Sequence, residues 1–246
     1  VVAADGIHSS SRNLAGITFK EHDYQQQAVA CIVRTALPHG EIARQRFLTH
    51  GPLAFLPMNS AHQCGVVWST LPEHAAVLLN MDAEEFNQTL QTAFDNTPGE
   101  VLESERRGCF PLRRAQAERY CKERFVLVGD AAHSVHPLAG QGANLGFLDV
   151  ASLAQLVLSA RDKNKDYASQ RVLRAYERWR KLENHMMMMA LEGFKYTFEN
   201  QSPPVQILRN KALDFANSIV PLKHTIMRHA MGLSGDLPAL VKQNIA

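Results

Sequence analysis

Residues 129–146 read Gly-Asp-Ala-Ala-His-Ser-Val-His-Pro-Leu-Ala-Gly-Gln-Gly-Ala-Asn-Leu-Gly, the densest chemistry in the chain. The segment 124–130 predicts a buried parallel strand that ends in a tight turn at Gly129 and Asp130. A carboxylate at that strand end accepts hydrogen bonds from the hydroxyls of a sugar or sugar-alcohol chain. Pro137, Gly140, Gln141, Gly142, Ala143 and Asn144 then make a loop of mostly small residues, which lets backbone approach a flat ligand closely. A helix predicted to follow offers its free N–H groups to negative charge. On spacing alone the glycines give GxGxxxG, one residue off the GxGxxG nucleotide fingerprint and not directly after a strand.

A second constellation stands at the front, Asp5-Gly6-Ile7-His8-Ser9-Ser10-Ser11-Arg12, where the Arg12 guanidinium fork suits a phosphate. A free imidazole titrates near neutral pH, so a catalytic role for His133 or His136 in taking a substrate proton is the chemistry their side chains offer. More often a His in such a turn packs or satisfies backbone groups, and the catalytic residue stays unassigned. Asp149 reads as solvated or paired and is left out of the site. The cysteines, 31, 64, 109 and 121, form no CxxC pair and no zinc-like cluster with His, which predicts reduced thiols and no metal.

Taken whole, the eighteen residues resemble the GD motif, GDAAHxxxPxxGxGxNxG, of the FAD-dependent aromatic hydroxylases with the p-hydroxybenzoate hydroxylase fold. Residues 5–12 are similar to the DGxxSxxR motif of the same family. Segments 24–28, 51–57, 66–69 and 110–112 resemble its ubiquinone-biosynthesis members, with the 2-octaprenylphenol branch nearest and the 2-octaprenyl-6-methoxyphenol branch close behind. The resemblance covers essentially the whole chain. It implies FAD as cofactor, NAD(P)H as cosubstrate, and O2 activated as a C4a-hydroperoxyflavin that hydroxylates the ring of a polyprenylated phenol. It also implies that Asp130 holds the ribityl chain, that Pro137 and residues 140–144 border the isoalloxazine, and that Gly129 is among the cofactor-binding residues. Asp5, Gly6 and Arg12 would lie by the pyrophosphate and the NAD(P)H route. The family opens with a βαβ unit carrying GxGxxG, and none occurs in these 246 residues. The expectations are therefore missing upstream sequence, poor FAD binding and no turnover by this chain alone.

The elements that must position these residues predict an α+β fold. Residues 1–24 and 115–160 form a partial FAD-binding, Rossmann-like domain; 25–114 form a mostly antiparallel substrate domain; 161–246 form a C-terminal helical region. Apolar runs at 28–33, 53–56 and 65–69 are strands, and 82–94 is the one helix among them, with Asp82 as N-cap. Residues 1–4 read as a buried strand that has lost its sheet partners. A long helix is expected after Leu145, another at 170–200, and a third at 205–231 split at Pro221. Arg106, Arg107, Arg113 and Arg114 are expected at sheet edges, and Trp68 in the core. The four adjacent Met at 186–189 cannot share one helix face, so some must point away from a core.

Composition sets the remaining bounds. Hydrophobic residues make up 46% and charged ones 20%, which excludes a disordered or collagen-like chain. The longest uncharged stretch, 47–72, holds three prolines and does not read as a membrane span. Residues 1–159 carry 12 basic and 16 acidic residues and residues 160–246 carry 14 and 8, so the charge is −4 in the first part and +6 in the second. That basic third suits anionic lipid or an acidic partner, while its dispersed cations and the lack of a motif exclude nucleic acid. A cytoplasmic protein in peripheral contact with the membrane's inner face or with a ubiquinone-biosynthesis complex is expected. The alternative is a non-catalytic assembly or membrane-docking module.

Overall fold

Alternating burial along β-branched and aromatic residues builds the antiparallel sheet at the middle of the chain. The computed structural model describes residues 1–137, 140–200, 202–230 and 235–242; Leu138 and Ala139 of the glycine-rich segment lie outside them. Two compact units divide the chain, residues 23–112 and residues 1–22 with 113–246.

In the unit of 23–112, the strands are β2 (Phe19–Thr35, entering from the other unit), β3 (Arg44–Leu48), β4 (Gly51–Pro57), β5 (Gln63–Thr70) and β6 (Val101–Ser104). They pair antiparallel in the order β2-β5-β4-β3, with β6 on the end of β2. Trp68 faces Val29 on one side and Leu53 on the other, and it is buried as expected. One face of the sheet shares a core with helices α2 (Pro72–Asn80) and α3 (Ala83–Ala93) through Phe55, Val66, Leu78, Phe86 and Leu90. Asp82 caps α3 by accepting from the Glu85 amide at 2.8 Å. The sequence reading missed α2, although Pro72 at its first turn with Glu73 is a start signal. Arg107 is not an edge charge. Its guanidinium donates to the Leu78 and Met81 carbonyls at 2.7 and 2.6 Å and lies over the Phe86 ring, closing the orphaned end of α2.

The other unit starts from β1 (Val2–Ala3), which pairs in parallel with β9 (Phe125–Leu127), while β8 (Cys121–Lys122) runs antiparallel on the far side of β9. The expectation for residues 1–4 needs correcting, because β1 has a partner and only Ala3 is buried. Strand β7 (Gly108–Ala117) enters from 23–112, and its end pairs with β10 (His133–Ser134). A short helix, α1 (Ser10–Leu14), follows β1. Helix α4 (Gln141–Asp162) starts four residues before Leu145, and α5 (Gln170–Glu199) runs beside it. Leu153, Leu173 and Tyr176 share one core with Val126 and Leu127, and the Tyr176 hydroxyl donates to the Leu127 carbonyl at 2.9 Å. Burying such a ring stabilises by roughly 2–3 kcal/mol. By length and composition α4 could cross a membrane, and its Asp149 is fully buried against Arg180 of α5.

The last helices are α6 (Pro203–Ser218), α7 (Val220–Ala230) and α8 (Ala239–Lys242). The break falls at Ile219 rather than Pro221, because proline in a first helical turn lacks only an N–H that has no partner there. All four cysteines are free.

Candidate functional site

The turn after β9 organises the site. Gly129–Ala131 forms one 3-10 turn, with Gly129 at φ 58°, a left-handed conformation that disfavours a side chain. A Cβ on Gly146 of α4 would stand 3.4 Å from the Gly129 Cα, so the two glycines let helix and turn close on each other. Ala131, Ala132 and His133 are buried, whereas Asp130 is exposed and makes no hydrogen bond among the described residues. The turn thus presents one carboxylate outward from an otherwise packed segment.

Three braces fix that posture. First, Asp5 accepts from the Ser9 hydroxyl and from the Ser11 amide, and Ser9 caps α1 by accepting from the Arg12 amide. These bonds, the Ser9 hydroxyl foremost, hold the Asp5 carboxyl down at about 2. Second, Arg12 is buried, donates to the Ile7 carbonyl at 2.8 Å and the Ala131 carbonyl at 3.0 Å, and lies over the Phe19 ring. One terminal nitrogen bonds within residues 5–12 and the other reaches the turn, so the buried guanidinium braces the two segments. Gly6 sits in the same segment at φ 79°.

The third brace is Asp149, fully buried on α4. One carboxylate oxygen accepts from the Gly129 amide at 3.1 Å and meets His133 Nε2. The other accepts from Arg180 Nε at 2.8 Å and Asn184 Nδ2 at 3.2 Å. Burial alone would raise this carboxyl's pKa; the His133 hydrogen bond and the charges of His133 and Arg180 outweigh it and hold Asp149 ionised, below the usual range. Arg180 also donates to Asn184 at 2.9 Å, and Tyr120 stacks on His133. His133 is therefore committed to the brace. The sequence reading set Asp149 aside, and Arg180 and Asn184 were not considered; the signal was there, since Asp149 sits on an apolar helix face where an unpaired charge is too costly to bury.

Residues 140–144 begin α4. Gly140 has φ 61°, and the helix start has no side-chain cap. Pro137, Gly140, Ala143 and Asn144 are exposed, Gly142 is half-buried, and Gln141 is buried. Among the described residues, apart from chain neighbours and the helix's own backbone, no atom lies within 4 Å of a Cβ placed on Gly140 or Gly142. An outward carboxylate beside uncapped amides fits the hydroxylated chain and the anionic ring of a flavin. The pyrophosphate is less well served, because Asp5 and Arg12 are both engaged.

His136 is buried, and burial first, then the Lys195 charge, pushes its pKa down to about 4. Its unfolded imidazole takes up a proton near pH 6.5 and the folded one only near 4, so stability drains away as pH falls through that window. We expect the melting temperature to drop between those pH values and His136→Gln to flatten the drop. An unchanged slope in the variant would refute the assignment.

A family model described as FAD binding domain matches residues 1–190. The chain belongs to that family. Among its relatives, the 3-demethoxyubiquinol 3-hydroxylase of Escherichia coli (strain K12) is 35% identical over 233 residues, covering 95% of this chain and 59% of that protein. The ubiquinone biosynthesis monooxygenase COQ6 of Danio rerio is 34% identical over 264 residues, 94% of this chain and 54% of that one. The p-nitrophenol 4-monooxygenase PnpA of Pseudomonas putida shares the fold, with a TM-score of 0.75 over 96% of this chain and 59% of its own at 21% identity. The chain thus spans a little over half the length of these proteins.

Proposed function

We propose that the chain carries the ribityl- and ring-binding half of an FAD site in a monooxygenase of ubiquinone biosynthesis. Its substrate is a polyprenylated phenol, its reductant NAD(P)H and its oxygen donor O2. Each turnover places one oxygen atom on a ring carbon and releases the other as water, with the two electrons drawn from NAD(P)H. The observation that carries this reading is the exposed Asp130 on a turn that packs against α4 at Gly146, together with the uncapped start of that helix at Gly140. The hydroxylase names of the relatives support the reaction class.

When bound, the flavin supplies the redox chemistry with O2. Asp130 accepts from the ribityl hydroxyls, residues 140–144 line the ring, and the first amides of α4 stabilise negative charge on it. Asp5, Arg12 and Asp149 act through the turn as positioning residues. His136, neutral and buried, supports the fold instead of catalysing a step. These 246 residues contain no GxGxxG, so the chain by itself binds FAD weakly and does not turn over. Joined to a GxGxxG βαβ unit, it hydroxylates a short-chain prenylphenol with one NAD(P)H oxidised per hydroxyl formed; NAD(P)H oxidation that yields only peroxide with every phenol tried would overturn the reading.

Peripheral contact with an anionic bilayer at the cytoplasmic face belongs to the same proposal, supported by exposed Leu208 and Phe215 on α6 beside Lys211. Flotation with anionic vesicles at low salt checks it, and its absence removes that part alone.

A further inference from the structure

Along one side of α5 runs a second feature that the flavin chemistry does not use. Arg174, Arg178, Lys181 and His185 follow a 4-3-4 spacing and so share one helix face, spread over about 16 Å. They line a groove of about 900 Å³ with Arg119 and the edge strand β8 opposite. Arg119, Arg174 and Arg178 are exposed and make no hydrogen bond or ion pair among the described residues. The groove's carboxylate, Glu177, is occupied by the Cys121 thiol at 3.0 Å. Three guanidinium forks thus line one concavity against the single carboxylate of Glu177, which leaves the groove net cationic.

A second stripe lies one residue further round the helix. Leu182, Met186 and Met189 follow the same periodicity and are 61%, 49% and 54% exposed, while Met188 packs inside. Exposed Met beside Leu is adaptable apolar surface of the kind that receives a helix. A single phosphate would engage only a fraction of a 16 Å cationic row, and a flat bilayer fits a concave groove poorly. Carboxylates repeated at 4-3-4 spacing, with an apolar ridge beside them, match both stripes at once.

We infer that this groove is a docking site for an acidic amphipathic helix of a partner protein. Its carboxylates pair with Arg119, Arg174 and Arg178, and its apolar ridge covers Leu182, Met186 and Met189. The site is independent of the flavin reading, since it shares no residue with the turn at Gly129.

The test is fluorescence anisotropy of a labelled helical peptide of about 16 residues, carrying Glu at the matching positions beside a Leu ridge. We expect saturable binding that weakens by about tenfold or more when salt rises from roughly 50 to roughly 300 mM. A chain with Arg174→Glu and Arg178→Glu should lose about tenfold or more in affinity with its melting unchanged, because both side chains are exposed. Lys163→Glu with Lys165→Glu changes net charge equally outside the groove and should stay within about twofold. Equal losses in the two double variants, or equal binding of a peptide with Lys in place of Glu, would overturn the proposal. So would anionic vesicles, or a second copy of the chain seen by sedimentation, binding this face while the peptide does not.

Discussion

Asp149→Ala will destabilise the unit of residues 1–22 and 113–246 by about 3–5 kcal/mol, because it strands the Arg180 guanidinium in the interior without its carboxylate. Arg180 is 2% exposed and cannot recover its hydration by a rotamer change. The same substitution leaves the Gly129 amide and His133 without their acceptor. Thermal or urea melting reads the loss, and a shift of a degree or two would show that the network contributes little. A double replacement, Asp149→Leu with Arg180→Met, separates stability from orientation. An apolar pair of similar volume should restore much of the stability. It gives the Gly129 turn no acceptor, so flavin affinity should stay low in the refolded variant.

Asp130→Ala has the opposite profile. The side chain is exposed and makes no hydrogen bond among the described residues, so stability should change by less than about 0.5 kcal/mol. If the carboxylate receives the ribityl hydroxyls, its loss weakens flavin binding by about tenfold to a hundredfold, the scale of a hydrogen bond to a charged group. Asp130→Asn keeps an acceptor without the charge and should fall between. A variant that melts early yet binds flavin normally would place Asp130 among the structural residues. Together the two substitutions distinguish a residue that touches the ligand from one that aims it.

Periodicity made most of the fold legible. The strands around 28–33, 53–56 and 65–69, the helix capped by Asp82 and the long helix from 170 all follow from local pattern. Helix α2 escaped because its nine residues hold too short an apolar pattern to stand out among strands. Arg107 was misread because a cation near a strand has the same local sequence whether it faces water or caps a distant helix end. At the site, the small-residue loop and its outward carboxylate were legible from residues 129–146 alone. The braces were not, because Arg12 meets Ala131 and Asp149 meets Arg180 across long stretches of chain. A motif records which residues recur together, and only the fold shows which of them face the ligand.

On the proposed function, this chain binds a flavin through its ribityl chain and ring and not through its pyrophosphate. Quenching of flavin fluorescence, titrated with FAD, FMN and riboflavin against the 246-residue chain, tests it most directly. We expect weak, saturable binding, with dissociation constants of about 10 µM or more that agree within about threefold among the three ligands. FAD binding about a hundredfold tighter than riboflavin would contradict it by revealing a pyrophosphate cradle within these residues. Binding of none of the three would remove the flavin site from the turn at Gly129.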